Sequence, residues 1–342
     1  MEEHPRVQQF VDTLRSRQTP GMSPTVRLPM SAVTSRPATP REPIFDPQML
    51  TKLGRLEVIS RTVVDGFLSG KHRSTHKGGC TDFAEYRPYA PGDDIRQLDW
   101  KKFAKTDRYY VKRYDDETNL QALLIVDSSG SMQFGMSTVT KWRYAQMATA
   151  CLGHLLLRQR DSVGLAVVGE RLIDFVKPQP RANHLSRVIN VLESIQAAGK
   201  SNLDESLQGL TGRLKRRGMV ILLSDCFGDV ARLKHVLEQF RLRGHDVLVF
   251  QILAPEELDF PFKRESFFQD LELPRRMQIN PNSLRKQYLA EFRGFLDQLR
   301  QTLTDLGADL VTLRTDQDLG ETLAQYLRRR AAQKTATLAR AR

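Results

Sequence analysis

The chain has 342 residues, a formal net charge of +12 and 40% hydrophobic residues, which is the composition of a globular protein with a buried core. No stretch approaches the roughly 20 consecutive apolar residues that a membrane-spanning helix needs, and the N-terminal sequence MEEHPRVQQF is unlike a secretory signal. The three cysteines are widely separated and do not suggest a disulfide framework, so we expect a reducing, cytoplasmic environment.

Residues 1–45 are predicted to form a disordered leader, because much of this segment is rich in Pro, Ser, Thr and Arg. A helix is predicted to follow, since Asp46 suits the N-cap position, Pro47 the first helical position and Gly70 the C-terminal end. The remainder of segment 46–118 is crowded with glycine, proline, aromatic and charged residues, and its YYVKRY run alternates as a strand does. We therefore expect a helix and then a small β-rich segment.

Strand-like and helical segments alternate through residues 119–331. The apolar runs typical of buried strands are residues 122–126, 163–168, 219–223, 247–253 and 310–313. The helical patterns are residues 141–160, 184–197, 203–216, 230–243, 281–306 and 318–331. This alternation predicts an α/β fold with a mostly parallel sheet, helices on both faces and ligands beyond the carboxyl ends of the strands. Residues 332–342 are predicted to be a basic, flexible tail.

The most informative motif follows the first of these strands, where Asp127, Ser129 and Ser131 form an Asp-x-Ser-x-Ser sequence. A carboxylate and two hydroxyls at a strand end can converge on one point, and oxygen ligands suit a hard cation such as Mg²⁺. The motif alone is weak, because Ser and Asp are also common in turns. Two later residues strengthen it: Asp225 follows another strand-like run, and Ser201 precedes a helix. Together, the five residues predict a metal site at one edge of the sheet.

This set resembles the metal-ion-dependent adhesion site of von Willebrand factor A domains, in which three loops supply the ligands. The resemblance implies a von Willebrand factor A-like fold and one Mg²⁺ or Mn²⁺ ion with an open position for a carboxylate of a partner protein. The sequence departs from the family pattern at two places. Ser201 stands where Thr is usual, and Cys226 follows Asp225 where Gly is often found.

A second resemblance covers roughly residues 50–331. Segment 82–101 contains DFAEYRPY, PGDDIR and DWK in this order, just before the metal-site strand. This order is similar to the signature of the bacterial family called domain of unknown function 58. The resemblance implies a role as an adaptor or partner of MoxR-type AAA+ ATPases, which are typically encoded beside members of the family. Many members carry membrane helices, whereas no stable membrane span is expected here.

The charged part of this segment has two interpretations. It contains charges of both signs and one tryptophan, at Arg87, Asp93, Asp94, Arg96, Asp99 and Trp100. The simpler interpretation is that ion pairs and turn hydrogen bonds fold a small subdomain. The functional interpretation is a surface that docks a partner, and the six residues are candidates for it.

Two other patterns predict ligand sites only weakly. Residues 197–201, AAGKS, look like the end of a phosphate-binding loop, but Ser194 stands where that motif needs its first glycine. His72, His76 and Cys80 are spaced by four residues, as zinc ligands can be, but the sequence nearby offers no fourth ligand. We expect neither a nucleotide site nor a closed zinc site.

Three functions follow from these observations. The favoured one is a non-enzymatic adaptor whose ion, held through Asp127 and Asp225, binds an acidic residue of a MoxR-type ATPase or of a client protein. The alternative is a metal-assisted hydrolase of phosphate esters, although the sequence offers no obvious general base near the site. Nucleic-acid binding is not expected, because the basic residues are dispersed and residues 105–114 are better explained as a strand.

Overall fold

A computed structural model describes residues 45–71, 86–89, 103–104, 106–112, 120–136, 139–181, 183–200, 202–262, 266–269, 276–279 and 281–327. The described residues divide into two compact units. One lies between Phe67 and Asn119, and the other contains the described residues on either side of that segment. Most of the predicted leader and the whole of the predicted basic tail lie outside the described residues.

The helices and strands of the described residues are numbered in chain order. The strands are β1 (Tyr86–Pro88), β2 (Tyr110–Lys112), β3 (Gln121–Asp127), β4 (Ser162–Val168), β5 (Leu172–Gln179), β6 (Gly218–Ser224), β7 (Asp246–Leu253), β8 (Ser266–Gln269), β9 (Arg276–Ile279) and β10 (Asp309–Arg314). The helices are α1 (Pro47–Thr51), α2 (Leu56–Lys71), α3 (Lys141–Arg158), α4 (His184–Ser194), α5 (Leu203–Gln208), α6 (Val230–Leu242), α7 (Pro255–Asp259), α8 (Pro281–Asp305) and α9 (319–327). None of these helices combines the length and apolar character that crossing a bilayer requires.

A six-stranded sheet forms the centre of the larger unit, in the order β10-β7-β6-β3-β4-β5. Every neighbouring pair is parallel except β4 and β5, which are antiparallel. The five predicted strand-like runs each lie within one of these strands, so the prediction of a mostly parallel sheet is confirmed. Strand β5 was not predicted, because this edge strand is half exposed and lacks a continuous apolar run.

Helices cover both faces of this sheet, as predicted. Successive residues of a strand point to opposite faces. Leu123 and Ile125 of β3 belong to a buried cluster that includes residues of α5, α6 and α8. Leu124 points the other way, where a Cβ added at Gly153 of α3 would lie 3.7 Å from Leu124 and 3.5 Å from Leu185 of α4. The sheet is therefore buried on both faces, which accounts for the continuous apolar runs of its central strands.

The helix predicted between Asp46 and Gly70 is wrong in one respect, because the structure has two helices, α1 and α2, in its place. Asp46 is the N-cap of α1 as predicted, and its side chain accepts a hydrogen bond of 2.8 Å from the backbone amide of Gln48. The break follows from Gly54, whose φ of 77° lies in the left-handed region. A residue in that conformation ends a right-handed helix.

The helix predicted over residues 203–216 is shorter in the structure, where α5 ends at Gln208 and turns occupy residues 209–213. Gly209 and Gly212 lie in those turns, and glycine disfavours helix continuation. The apolar residues that produced the helical pattern are nevertheless buried. Leu210 and Leu214 both belong to the cluster beneath α6, so the periodicity reports burial rather than a continuous helix.

The smaller unit contains a two-stranded antiparallel sheet of β1 and β2, in which Arg87 is opposite Val111. The strand predicted for the YYVKRY run is confirmed as β2. The rings of Phe103 and Tyr109 stack there, with centroids 4.4 Å apart. Other candidate residues of this segment lie outside the described residues: Asp93, Asp94, Arg96, Asp99, Trp100, His72, His76 and Cys80.

Strands β3 and β6 approach each other so closely at Gly218 that a side chain would not fit there. Gly218 begins β6 opposite Gln121 of β3, and a Cβ added at Gly218 would lie 2.1 Å from the backbone oxygen of Gln121. Gly218→Ala should therefore force these strands apart and lower the free energy of unfolding by about 1–3 kcal/mol. Urea unfolding followed by circular dichroism measures this difference.

The matched control is Gly294→Ala in α8, where an added Cβ would meet nothing within 4 Å. It should raise the free energy of unfolding by about 1 kcal/mol, because alanine favours a helix more than glycine does. A Gly218→Ala protein as stable as the wild type would contradict the described packing of β3 against β6.

Candidate metal centre

The candidate site lies where the two central strands of the sheet end side by side. Val126 of β3 is paired with Leu223 of β6, so the next residues, Asp127 and Ser224, lie at the same edge. The hydroxyl of Ser224 donates a hydrogen bond of 2.6 Å to Oδ2 of Asp127. Parallel pairing thus brings together two loops that are far apart in the sequence, including the one that begins at Asp225.

The loop after β3 brings its three predicted oxygen ligands together. Oδ1 of Asp127 accepts a hydrogen bond of 2.9 Å from the backbone amide of Ser129, which holds the carboxylate over its own loop. A short 3-10 helix, Gly130–Gln133, then turns the chain. The hydroxyl oxygens of Ser129 and Ser131 lie 2.8 Å apart, and all three side chains are buried.

The second predicted loop is hydrogen-bonded to the first along its described part. The amide of Ala198 donates to the carbonyl of Ser128 over 2.9 Å, and the amide of Gly130 donates to the carbonyl of Gly199 over 2.8 Å. These two bonds fix the backbones of both loops beside each other. Ser201, the predicted ligand from this loop, lies outside the described residues, and its role stays a prediction.

The third loop turns sharply at Cys226, whose φ of 58° lies in the left-handed region that favours glycine. The loop therefore adopts a glycine-like conformation although the residue is cysteine. The amide of Cys226 donates to the hydroxyl oxygen of Ser224 over 2.9 Å, and the amide of Phe227 donates to Oδ1 of Asp225 over 3.1 Å. The Asp225 side chain is buried and held by its own loop.

A buried lysine, which the sequence analysis missed, contacts the site. Lys141 is the first residue of α3, and its ammonium donates to Oδ2 of Asp225 over 2.7 Å and to Oε1 of Glu257 over 2.6 Å. Lys141 is 0% exposed. The sequence gives little sign of this group, because the two carboxylates are 84 and 116 residues away from the lysine. Ser224 was also missed as a member of the site, although it directly precedes Asp225.

Burial and like charge dominate the electrostatics of this site. Burial and then the neighbouring charge of Asp225 raise the pKa of Asp127 to about 6, although hydrogen bonds from Ser224 and Ser129 oppose this shift. Burial also raises the pKa of Glu257, which the charge of Lys141 opposes. Carboxylates outnumber ammonium groups among these buried side chains, so the site has a shortage of positive charge.

The donor set fits a hard divalent cation by chemical type. Two carboxylates and two hydroxyls provide oxygen atoms, which Mg²⁺ and Mn²⁺ prefer over nitrogen or sulfur. Within the described part of the chain, no group of three or more His, Cys, Asp and Glu side chains is placed to hold a metal ion. A cation here would therefore rely on Ser129 and Ser131 as well as on the aspartates.

Comparison with known proteins identifies one family and several uncharacterized relatives. The family model described as protein of unknown function DUF58 matches residues 85–294. Uncharacterized proteins of Mycobacterium tuberculosis (Rv1480) and Mycobacterium bovis (Mb1516) are each 28% identical to this chain over 308 residues, covering 88% of it and 96% of the relative.

Among solved structures, similar ones include the conserved hypothetical protein BatB of Bacteroides thetaiotaomicron and the SpRpn10 VWA domain. BatB aligns with a TM-score of 0.41 and 13% identity over 62% of this chain and 99% of its own. The SpRpn10 domain aligns with a TM-score of 0.36 and 10% identity over 60% of this chain and 94% of its own. The family model covers more than half of the sequence, and the chain belongs to the family described as protein of unknown function DUF58.

Proposed function

We propose that this chain is a non-enzymatic adaptor that binds a partner protein through a divalent cation at the carboxyl edge of β3 and β6. The observation that carries this proposal is the convergence of four buried oxygen-bearing side chains from two loops: Asp127, Ser129, Ser131 and Asp225. Buried carboxylates are costly unless they are paired or bind a metal. An edge site built from loops on a rigid sheet also suits binding.

Each side chain has a distinct part in this proposal. Asp127 and Asp225 would hold the cation, and Ser129 and Ser131 would add neutral oxygens to it. The bound cation would offer an open coordination position to a carboxylate of the partner. Ser224 and the amides of the two loops already hydrogen-bond the aspartates and so fix the carboxylate orientations before any ligand arrives.

The identity of the partner rests on family membership. Resemblance to the family implies a MoxR-type AAA+ ATPase, a client protein presenting a carboxylate, or both. The six candidate residues of segment 82–101 remain predicted docking residues, and only Arg87 of the six lies among the described residues. The expected cytoplasmic location also stays a prediction.

Hydrolysis of phosphate esters, the alternative function, gains no support from the described residues. Both carboxylate oxygens of Glu257, which contacts the site through Lys141, already accept hydrogen bonds, so this side chain is poorly placed to act as a general base. Burial raises the pKa of the Cys226 thiol, which disfavours a nucleophilic thiolate. Binding of a partner protein needs neither a general base nor a nucleophile, so it is consistent with these observations.

Metal binding is the first prediction of this proposal. Calorimetric titration of Mn²⁺ into the wild-type protein should give one site, and Asp127→Asn or Asp225→Asn should abolish binding at millimolar concentrations, because each removes an anionic ligand. Asp246→Asn is the matched control, since Asp246 is an exposed carboxylate at the opposite end of the sheet. Circular dichroism verifies folding. A folded wild type that binds no Mn²⁺ would contradict the proposal.

Metal-dependent partner binding is the second prediction. Biolayer interferometry with a purified MoxR-type ATPase from the same organism, without nucleotide, should show binding in Mg²⁺ and its loss after EDTA. The Asp225→Asn variant separates this effect from any metal requirement of the ATPase, because only the adaptor is altered. If Asp225→Asn binds the ATPase as tightly as Asp246→Asn does, this ATPase is not held through the cation.

A further inference from the structure

The Lys141 side chain is completely buried, which is unusual for lysine. Its side chain is fully removed from solvent, although lysine is almost never buried unless it is paired. Helix α3 positions it: Thr140 is the N-cap and accepts a hydrogen bond of 3.2 Å from the amide of Arg143. The amide of Lys141 itself donates to the carbonyl of Phe134 over 2.8 Å. The backbone of this residue is therefore anchored at the site.

Two carboxylates and two aromatic rings surround the ammonium. Its nitrogen lies 2.7 Å from Oδ2 of Asp225 and 2.6 Å from Oε1 of Glu257, and such short distances are typical of hydrogen bonds between charged groups. It also lies 4.7 Å from the ring centroid of Phe227 and 5.9 Å from that of Phe134, and aromatic faces attract cations. The ammonium thus shares one of the two aspartates of the candidate metal centre.

Glu257 is held in place independently of that aspartate. Its Oε2 accepts a hydrogen bond of 2.8 Å from the amide of Ala254, at the start of α7. The hydroxyl of Tyr288 in α8 donates to the backbone carbonyl of Glu257 over 2.7 Å, which ties α7 to α8. Glu257 is therefore a fixed acceptor that keeps Lys141 paired even when Asp225 has another cation.

The formal charges of the buried groups match a divalent ion. When ionised, three carboxylates and one ammonium carry a net charge of −2, from Asp127, Asp225, Glu257 and Lys141. One divalent cation would neutralise this set. Without it, Lys141 is the nearest described cation of Asp225, so an arriving ion and the ammonium compete for the same carboxylate.

We propose that Lys141 is a built-in counter-cation that competes with the divalent ion for Asp225 and retreats to Glu257 when the ion binds. This inference rests on the proposed function, because it assigns the regulation of the same site. Lys141 lowers the intrinsic affinity for the ion and stabilises the loop of Asp225 in its absence. Binding of the divalent ion then depends on additional ligands that stabilise it, such as a carboxylate of a bound partner protein.

The test compares Mn²⁺ affinities of the full-length wild type, Lys141→Met and Glu257→Gln by calorimetry. Lys141→Met removes the competitor and should bind Mn²⁺ at least about tenfold more tightly than the wild type, because a nearby like charge is lost. Glu257→Gln removes the second acceptor and should bind at least about tenfold more weakly. A lysine that only supports the fold would give the opposite result or none for Lys141→Met.

The midpoint temperature of thermal unfolding in Mn²⁺ is a second measurement, which can be made even if the substitution destabilises the protein. Lys141→Met leaves two buried carboxylates without their ammonium, so its Tm should fall without metal and rise on adding Mn²⁺ by more than that of the wild type, since ligand binding stabilises the folded state. If Lys141→Met does not fold even in Mn²⁺, an unchanged affinity of Glu257→Gln overturns the inference.

The outcomes separate this inference from the proposed function. If the wild type and a folded Lys141→Met variant bind Mn²⁺ equally tightly, the proposed competition is overturned. The proposed metal centre is not contradicted by that result. Absence of Mn²⁺ binding in both proteins would overturn both. Binding by Lys141→Met alone would support the competition but contradict the proposed function, because the wild-type site would then stay paired with its lysine.

Discussion

The contact between Lys141 and Asp225 is the interaction on which the site depends. Asp225 is buried beside Asp127, and each carboxylate raises the cost of ionising the other. Removing one partner of a buried ion pair typically costs about 3–5 kcal/mol, because the remaining charge is left uncompensated. The ammonium allows Asp225 to be buried without a metal, and Glu257 allows the ammonium to be buried without Asp225.

The fold makes this arrangement rigid. Pairing of β3 with β6 places the ends of the two central strands together, and short loop hydrogen bonds orient the carboxylates from both sides. The Lys141 side chain reaches the site from the first turn of α3, and the Glu257 side chain reaches it from α7. The backbone carbonyl of Glu257 accepts a hydrogen bond from the hydroxyl of Tyr288 in α8. Asp225 contacts α3 through Lys141, and Lys141 in turn contacts Glu257 of α7. A cation bound as proposed at Asp225 would therefore have a physical route to both helices.

The sequence predicted those features that depend on local patterns. Buried apolar runs located the five parallel strands, and the Asp-x-Ser-x-Ser motif located the loop in which Asp127, Ser129 and Ser131 meet. The edge strand β5 was missed because it is half exposed, and one predicted helix was two because Gly54 turns the chain. Lys141 and Glu257 could not be predicted, because their pairing is a product of tertiary packing between residues 116 positions apart.

The most direct test of this account is a crystal structure of the protein grown in Mn²⁺, with the ion located by its anomalous scattering. We expect one Mn²⁺ bound by Asp127, Ser129, Ser131 and Asp225, with the Lys141 ammonium bound to Glu257 alone. An anomalous map without a peak at these four side chains, in a crystal where Lys141 still contacts Asp225, would contradict it. In that case the lysine would be the permanent counter-ion of the site.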